Sequence, residues 1–187
     1  MIFIGDVHGK VSRYKSIVDR YDASIQLGDF GFKKEHDWYK KHISPEHKIN
    51  FGNHDYYPYL NENYSCGNHS YDNGIFTIRG ADSIDRKFRI DGVDWFRDEE
   101  LSYLESLEVI DAYRLAKPEI VCSHDCPQSV CEELFGHPPS FTRKLLDYLL
   151  SIHQPLIWVF GHHHQSIDTT IGSTRFKCLA ALETFEL

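Results

Sequence analysis

The stretch IFIGDVHGKVSRYKSIVDRYDASIQLGDFG, residues 2–31, decides the fold. Ile2–Ile4 reads as a short buried strand that ends at once on a Gly-Asp-X-His-Gly loop, Gly5–Gly9. Val11, Tyr14, Ile17, Val18 and Tyr21 then recur along one helical face, with Lys15, Asp19 and Arg20 left for water. A second apolar run, Ala23–Leu27, stops at Gly28-Asp29. Strand, loop, helix and strand make a βαβ unit, whose two strands lie parallel.

The same grammar continues outward. Apolar runs at Lys48–Phe51, Gly74–Arg79, Ile120–Ser123 and Leu156–Phe160 each stop close to a Gly, Asn, Asp or His cluster and read as strands delivering loops. Asp98 is read as the N-cap of a helix carrying Leu101, Leu104 and Leu107, and Ser140 as the cap of another carrying Phe141, Leu145, Leu149 and Ile152. Both are predicted to pack on the core. Ile167–Ile171 and Thr174–Leu187 flank Gly172-Ser173 and read as a closing hairpin. The alternation predicts an α/β protein, a two-sheet mixed β-sandwich flanked by helices. With no repeat, low-complexity tract or linker in 187 residues, one domain is expected over residues 1–187.

Composition narrows the class. Hydrophobic residues at 41% and charged residues at 26% fit a globular chain rather than a disordered, fibrous or membrane one. Met1–Ile4 is apolar, but Asp6 and His8 follow immediately, so neither a leader peptide nor a membrane span is expected. Cys66, Cys122, Cys126, Cys131 and Cys178 form an odd set without CxxC spacing, which reads as reduced buried thiols in a cytoplasmic protein. A net charge of −8 repels a long polyanion unless bound metal or a local positive patch overcomes it.

The polar residues that carry chemistry fall in five segments: GDVHG at 5–9, GDFG at 28–31, GNHD at 52–55, SHD at 123–125 and GHHH at 161–164. Each follows an expected strand, and residues at the carboxyl ends of neighbouring strands converge in space. Glycine beside the polar residue permits tight turns and close approach. Imidazole, carboxylate and amide oxygen suit Mn²⁺, Zn²⁺ or iron, whereas no cysteine belongs to these motifs. If Asp6-Val7-His8 and His162-His163-His164 are locally extended, alternate residues face one side, and Val7 and His163 point away from the ligands.

In this order the motifs resemble the calcineurin-like metallophosphoesterases, from Gly5 to His164. The resemblance implies their two-sheet fold and a binuclear centre of divalent ions, with Mn²⁺ favoured and Fe, Zn, Ni or Co as options. One ion would be held by Asp6, His8, Asp29 and His164, the other by Asp29, Asn53, His124 and His162, with Asp29 bridging. It also implies hydrolysis by a metal-bridging hydroxide, with His54 as general acid toward the leaving oxygen.

The chain departs from the protein-phosphatase branch, in which the second motif continues as GDxVDRG. Here it reads GDFGFK, so Phe32 stands for an aspartate and Lys33 for an arginine. That removes a carboxylate–histidine pair and a bidentate guanidinium clamp, and shifts the expectation toward phosphodiesters. GADSIDR at 80–86 and DWFRDEE at 94–100 resemble segments of small phage and bacterial members, which points to nucleotides or nucleic-acid ends as substrates. Arg79, Arg86, Lys87 and Arg89 read as a solvated surface, and Tyr56, Tyr57, Tyr59, Trp95 and Phe96 as packing aromatics. The expected activity is phosphodiester or phosphomonoester hydrolysis, with no membrane and no obligate protein partner. The alternatives are a Ser/Thr phosphoprotein phosphatase and a noncatalytic scaffold that retains the fold.

Overall fold

A computed structural model describes residues 1–187. Its strands are β1 (Ile2–Ile4), β2 (Ser24–Gln26), β3 (His47–Ile49), β4 (His69–Asp72), β5 (Ile75–Ile78), β6 (Ile120–Ser123), β7 (Ile157–Phe160), β8 (Ile167–Ile171), β9 (Thr174–Cys178) and β10 (Thr184–Glu186). They form a four-stranded sheet, β10-β1-β2-β3, and a six-stranded sheet, β4-β5-β6-β7-β9-β8. Both are mixed. β1, β2 and β3 run parallel, as do β5, β6, β7 and β9, while β10, β4 and β8 pair antiparallel at the edges. The sandwich expected from sequence is therefore the one observed.

The period-2 alternation of strands sorts the core into three layers. Phe3, Ile25, Ile75, Cys122, Ile157 and Val159 fill the space between the sheets. Ile2 and Ile4 point the other way, onto Tyr14 and Val18 of α1 (Val11–Val18) and Tyr39 of α2 (Lys33–His42). Phe76, Val121, Trp158, Phe160 and Phe176 face α3 (Tyr103–Ala116), α4 (Gln128–Phe135) and α5 (Phe141–Ile152). β1 and β7 are buried on both faces, which is why they read as unbroken apolar runs rather than alternating ones. No helix is long and apolar enough to cross a membrane.

Three expectations are corrected. Asp98 does not cap α3; Ser102 does, accepting from Glu105 N while Glu105 reaches back to Ser102 N, a reciprocal capping box. In consequence Leu104 and Leu107 are exposed and the buried stripe is Ser106, Val109 and Tyr113. The tail does more than close a hairpin: β8 and β9 pair around Gly172-Ser173, but β10 crosses to the other sheet and lies against β1. Arg79 is not on a solvated surface. It is buried, with Nε on Asn68 Oδ1 at 2.7 Å and its guanidinium over Tyr57. Ser140 caps α5 as expected, accepting from Arg143 N at 3.1 Å.

Candidate metal centre

The loops after β1, β2, β3, β6 and β7 meet at one edge of the sandwich. Asp6, His8, Asp29 and His164 bring one ligand atom each within 4.8 Å of all the others, and Asp29, His124 and His162 do the same. Asp29 belongs to both sets. The Asn53 amide oxygen joins the second at 3.2 Å from His124 Nε2.

The turns that aim these groups are not extended. His8, Asp29, His162 and His164 all have left-handed backbones, with φ of 46°, 57°, 65° and 53°. Side chains other than glycine adopt that region at a cost, and such residues concentrate where function over-determines them. The extended geometry read from the i, i+2 spacing is thus replaced by tight turns, though Val7 is buried in the core and His163 points to Asp125, 3.1 Å away. The motif glycines fit the same turns. A Cβ at Gly52 would sit 2.6 Å from His124 Nε2, and one at Gly161 would collide with Asp6.

Two of the buried candidate ligands, His124 and Asn53, are oriented by further residues. His124 Nδ1 lies 2.8 Å from the Leu27 carbonyl, which can only accept, so Nδ1 carries the proton and Nε2 presents its lone pair inward. That lone pair faces Asp29 Oδ1 and Asn53 Oδ1, each at 3.2 Å. Acceptors crowded together in this way require a cation or a proton between them. The alternative to a metal is written in the charge balance: burial opposes an imidazolium, yet Asp29 pulls His124 up to about 10. Asn53 Nδ2 donates to Ser83 Oγ at 3.1 Å, and Ser83 Oγ donates to Glu99 at 2.6 Å, which turns the amide oxygen toward the centre.

Ionisation suits cation binding. Burial opposes the Asp6 carboxylate, but hydrogen bonds from His164 and His8 carry it down to about 2. Asp29 is likewise held well below the usual range, against burial, by His124 and His54. Burial takes His162 down to about 4, leaving a neutral imidazole able to ligate. Nitrogen–nitrogen and nitrogen–oxygen separations of 2.7–3.2 Å between His8 and His164, His164 and Asp6, and His124 and His162 are close to the edges of a coordination shell with bonds of about 2.0–2.2 Å. The donor set, its depressed carboxylates and its crowded lone pairs fit divalent ions.

A model of the calcineurin-like phosphoesterases matches residues 1–166. The chain belongs to that family. TT1561 of Thermus thermophilus superposes with a TM-score of 0.60 at 12% identity, covering 97% of this chain and 89% of that one. A dimetal phosphatase from Danio rerio gives 0.55 at 11% identity, covering 97% and 88%. No curated protein matches the chain in sequence. This phosphoesterase is accordingly a hydrolase of phosphoric esters from a binuclear, metal-dependent family.

His54 stands beside the centre. Its backbone N donates to Asp29 Oδ1 at 2.7 Å, Nδ1 lies 3.3 Å from Asp29 Oδ2, and Nε2 is buried with no partner. It forms the wall between two clefts of about 320 and 440 Å³. Lys33 turns away to pair with Asp37, whereas Phe32 lines the larger cleft with its ring 6.2 Å from His54. Phe96 packs on Tyr57 and Tyr56, Tyr56 packs in turn on Tyr59, and none of these four, nor Trp95, lines either cleft.

Two residues missed in the sequence complete the site. Asp55 accepts from the backbone N–H groups of Asp29, Phe30, Gly31 and Gly52 and contacts His36 Nε2 at 3.1 Å, locking the GDFG loop to the GNHD loop. Its place in GNHD was the available signal. Arg89, read as part of a solvated patch, lines the larger cleft and forks onto Asp85 through Nε at 2.9 Å and Nη2 at 2.7 Å.

Proposed function

We propose that this enzyme hydrolyses phosphodiesters of nucleotides or nucleic-acid ends. Asp6, His8, Asp29 and His164 hold one divalent ion and Asp29, Asn53, His124 and His162 the other, Mn²⁺ being the favoured metal. When bound, the pair supplies an activated water and positive charge toward the phosphoryl oxygens. The chain's own part in the chemistry falls to His54. Its ring, with Nδ1 3.3 Å from Oδ2 of the shared Asp29 and lining both clefts, is the observation that carries this reading. There it donates a proton or hydrogen bond to the leaving oxygen.

The surroundings favour a diester over a phosphoprotein. Phe32 and Lys33 supply neither the carboxylate nor the arginine that would serve a monoester dianion. Arg89 reaches the larger cleft, with Asp85 holding its fork and Nη1 left to meet a phosphate oxygen. The Phe32 ring offers an apolar face on which a base can rest. Five buried free cysteines fit the cytoplasm.

The test is hydrolysis of a bis-aryl phosphodiester and its monoester counterpart by metal-stripped protein, with Mn²⁺, Ni²⁺, Zn²⁺ or Mg²⁺ restored separately. Asp29→Asn serves as control. Metal-restored, Asp29-dependent cleavage favouring the diester is expected. A monoester preference extending to phosphopeptides would reverse the substrate assignment, and silence with two ions bound would favour the scaffold alternative.

A further inference from the structure

Behind His162, between α4 and the Gly161–His164 loop, lies a second ligand set that phosphoester hydrolysis does not use. Asp125, Cys126, Cys131 and His163 each bring one ligand atom within 4.8 Å of the other three. His163 Nε2 is 3.1 Å from Asp125 Oδ1 and 3.6 Å from Cys126 Sγ. Zinc bonds of about 2.0–2.1 Å to nitrogen and oxygen and about 2.3 Å to sulfur span tetrahedral edges of about 3.4 Å and about 3.6 Å respectively. The two contacts of His163 lie near those lengths, and all four ligand atoms are within 4.8 Å of one another.

Its surroundings are those of a built site. Asp125, Cys126 and Cys131 are fully buried, and the His163 ring is fixed by stacking on Phe135 at 3.8 Å and 8°. Asp125 Oδ2 is held by buried Arg143, whose Nε lies 2.7 Å away, leaving Oδ1 as a single-atom ligand. Charge closes as well. A divalent ion replacing the two thiol protons leaves Asp125, both sulfurs, the ion and Arg143 summing to zero, as they do with the thiols protonated.

We propose that Asp125, Cys126, Cys131 and His163 form a structural zinc site, separate from the binuclear centre, that ties α4 to the GHHH loop. Two thiolates select zinc over manganese, whereas the all-nitrogen-and-oxygen centre beside it has no such preference. The chain thus sorts two kinds of metal over a short distance: the rings of His162 and His163 are 5.0 Å apart. The site also lies directly behind His162, whose Nε2 is 3.9 Å from Asp125 Oδ2.

Cobalt separates the two sites, because only a sulfur-ligated ion gives a thiolate-to-cobalt charge-transfer band in the near ultraviolet. Metal-free protein kept under reductant and loaded with Co²⁺ is expected to show that band. Cys126→Ser and Cys131→Ser should each remove it, and Asp29→Asn should keep it. Elemental analysis of zinc-loaded Asp29→Asn should find one ion per chain, absent when Cys131→Ser is added. Cobalt-loaded wild-type protein without the band, or zinc-free Asp29→Asn, overturns the site. Because the band does not depend on Asp29, its absence beside intact hydrolysis would sink this site alone. The band without hydrolysis would support it and count against the phosphoesterase reading.

Discussion

The two halves of the binuclear centre share Asp29 yet meet water differently. In the outer half the His8 and His164 side chains are 27% and 53% exposed, and they touch little beyond each other, Asp6 and Asp29. In the inner half His124 is fully buried and Asn53 nearly so, and both are held from behind, by the Leu27 carbonyl and by Ser83. An inner site whose ligands are already aimed loses little freedom on binding, whereas the outer imidazoles must be ordered by the ion itself. The inner ion should therefore be the tight one and the outer ion the exchangeable one. Exposure at the outer half also leaves the larger cleft open to substrate.

The severest way to break this asymmetry is Asp29→Asn. Removing the shared carboxylate should empty both halves and nearly abolish turnover, as read by elemental analysis and steady-state rate; normal metal content would strip Asp29 of its bridging role. Next comes His54→Ala, which belongs to neither half. It should retain both ions and lower kcat by about 10²–10⁴-fold, most for esters with poor leaving groups. An equal loss across leaving groups would make His54 a positioning residue instead.

Ser83→Ala acts on one half only. Freeing the Asn53 amide should weaken the inner ion by about 10–100-fold in chelator competition and leave the outer ion unchanged. Equal weakening of both would mean the halves do not differ as described. The smallest effect is expected of Arg89→Ala, at about tenfold in kcat/KM, the size of one charge-assisted hydrogen bond. Metal occupancy should not move, and a change there would place Arg89 in the centre rather than at its mouth.

The seven candidate ligands were legible because each lies in a short polar motif just after an expected strand, five of them directly beside a glycine, a local pattern that survives in one dimension. What orients them was not. Asn53 depends on Ser83 and Glu99, thirty and forty-six positions further along, and nothing near Asn53 announces either. Arg79 and Arg89 look alike in sequence; one is buried against Asn68 and the other lines the cleft, a distinction made only by tertiary packing. The α3 start was readable in principle, since Ser102 and Glu105 spell a capping box. The leucines at 101, 104 and 107 misled because a spacing of three drifts around a helix of 3.6 residues per turn. Helix α2 escaped notice because KKEHDWYKKH has no apolar stripe, its inward residues being His36 and Tyr39.

Strand β10 has one more consequence. It pairs Thr184–Glu186 with Ile2–Ile4, and the adjoining turn reaches the first ligand loop directly, through Gly5 N to Glu183 O at 2.9 Å and Leu182 N to Asp6 O at 3.0 Å. The loop bearing Asp6 and His8 therefore rests on residues synthesised some 175 positions later. Contacts of such long sequence separation close late in folding. A nascent chain that has already made His164 possesses every candidate ligand, but the platform beneath Asp6 is still missing its last plank, so metal capture on the ribosome should lag behind emergence of the final ligand.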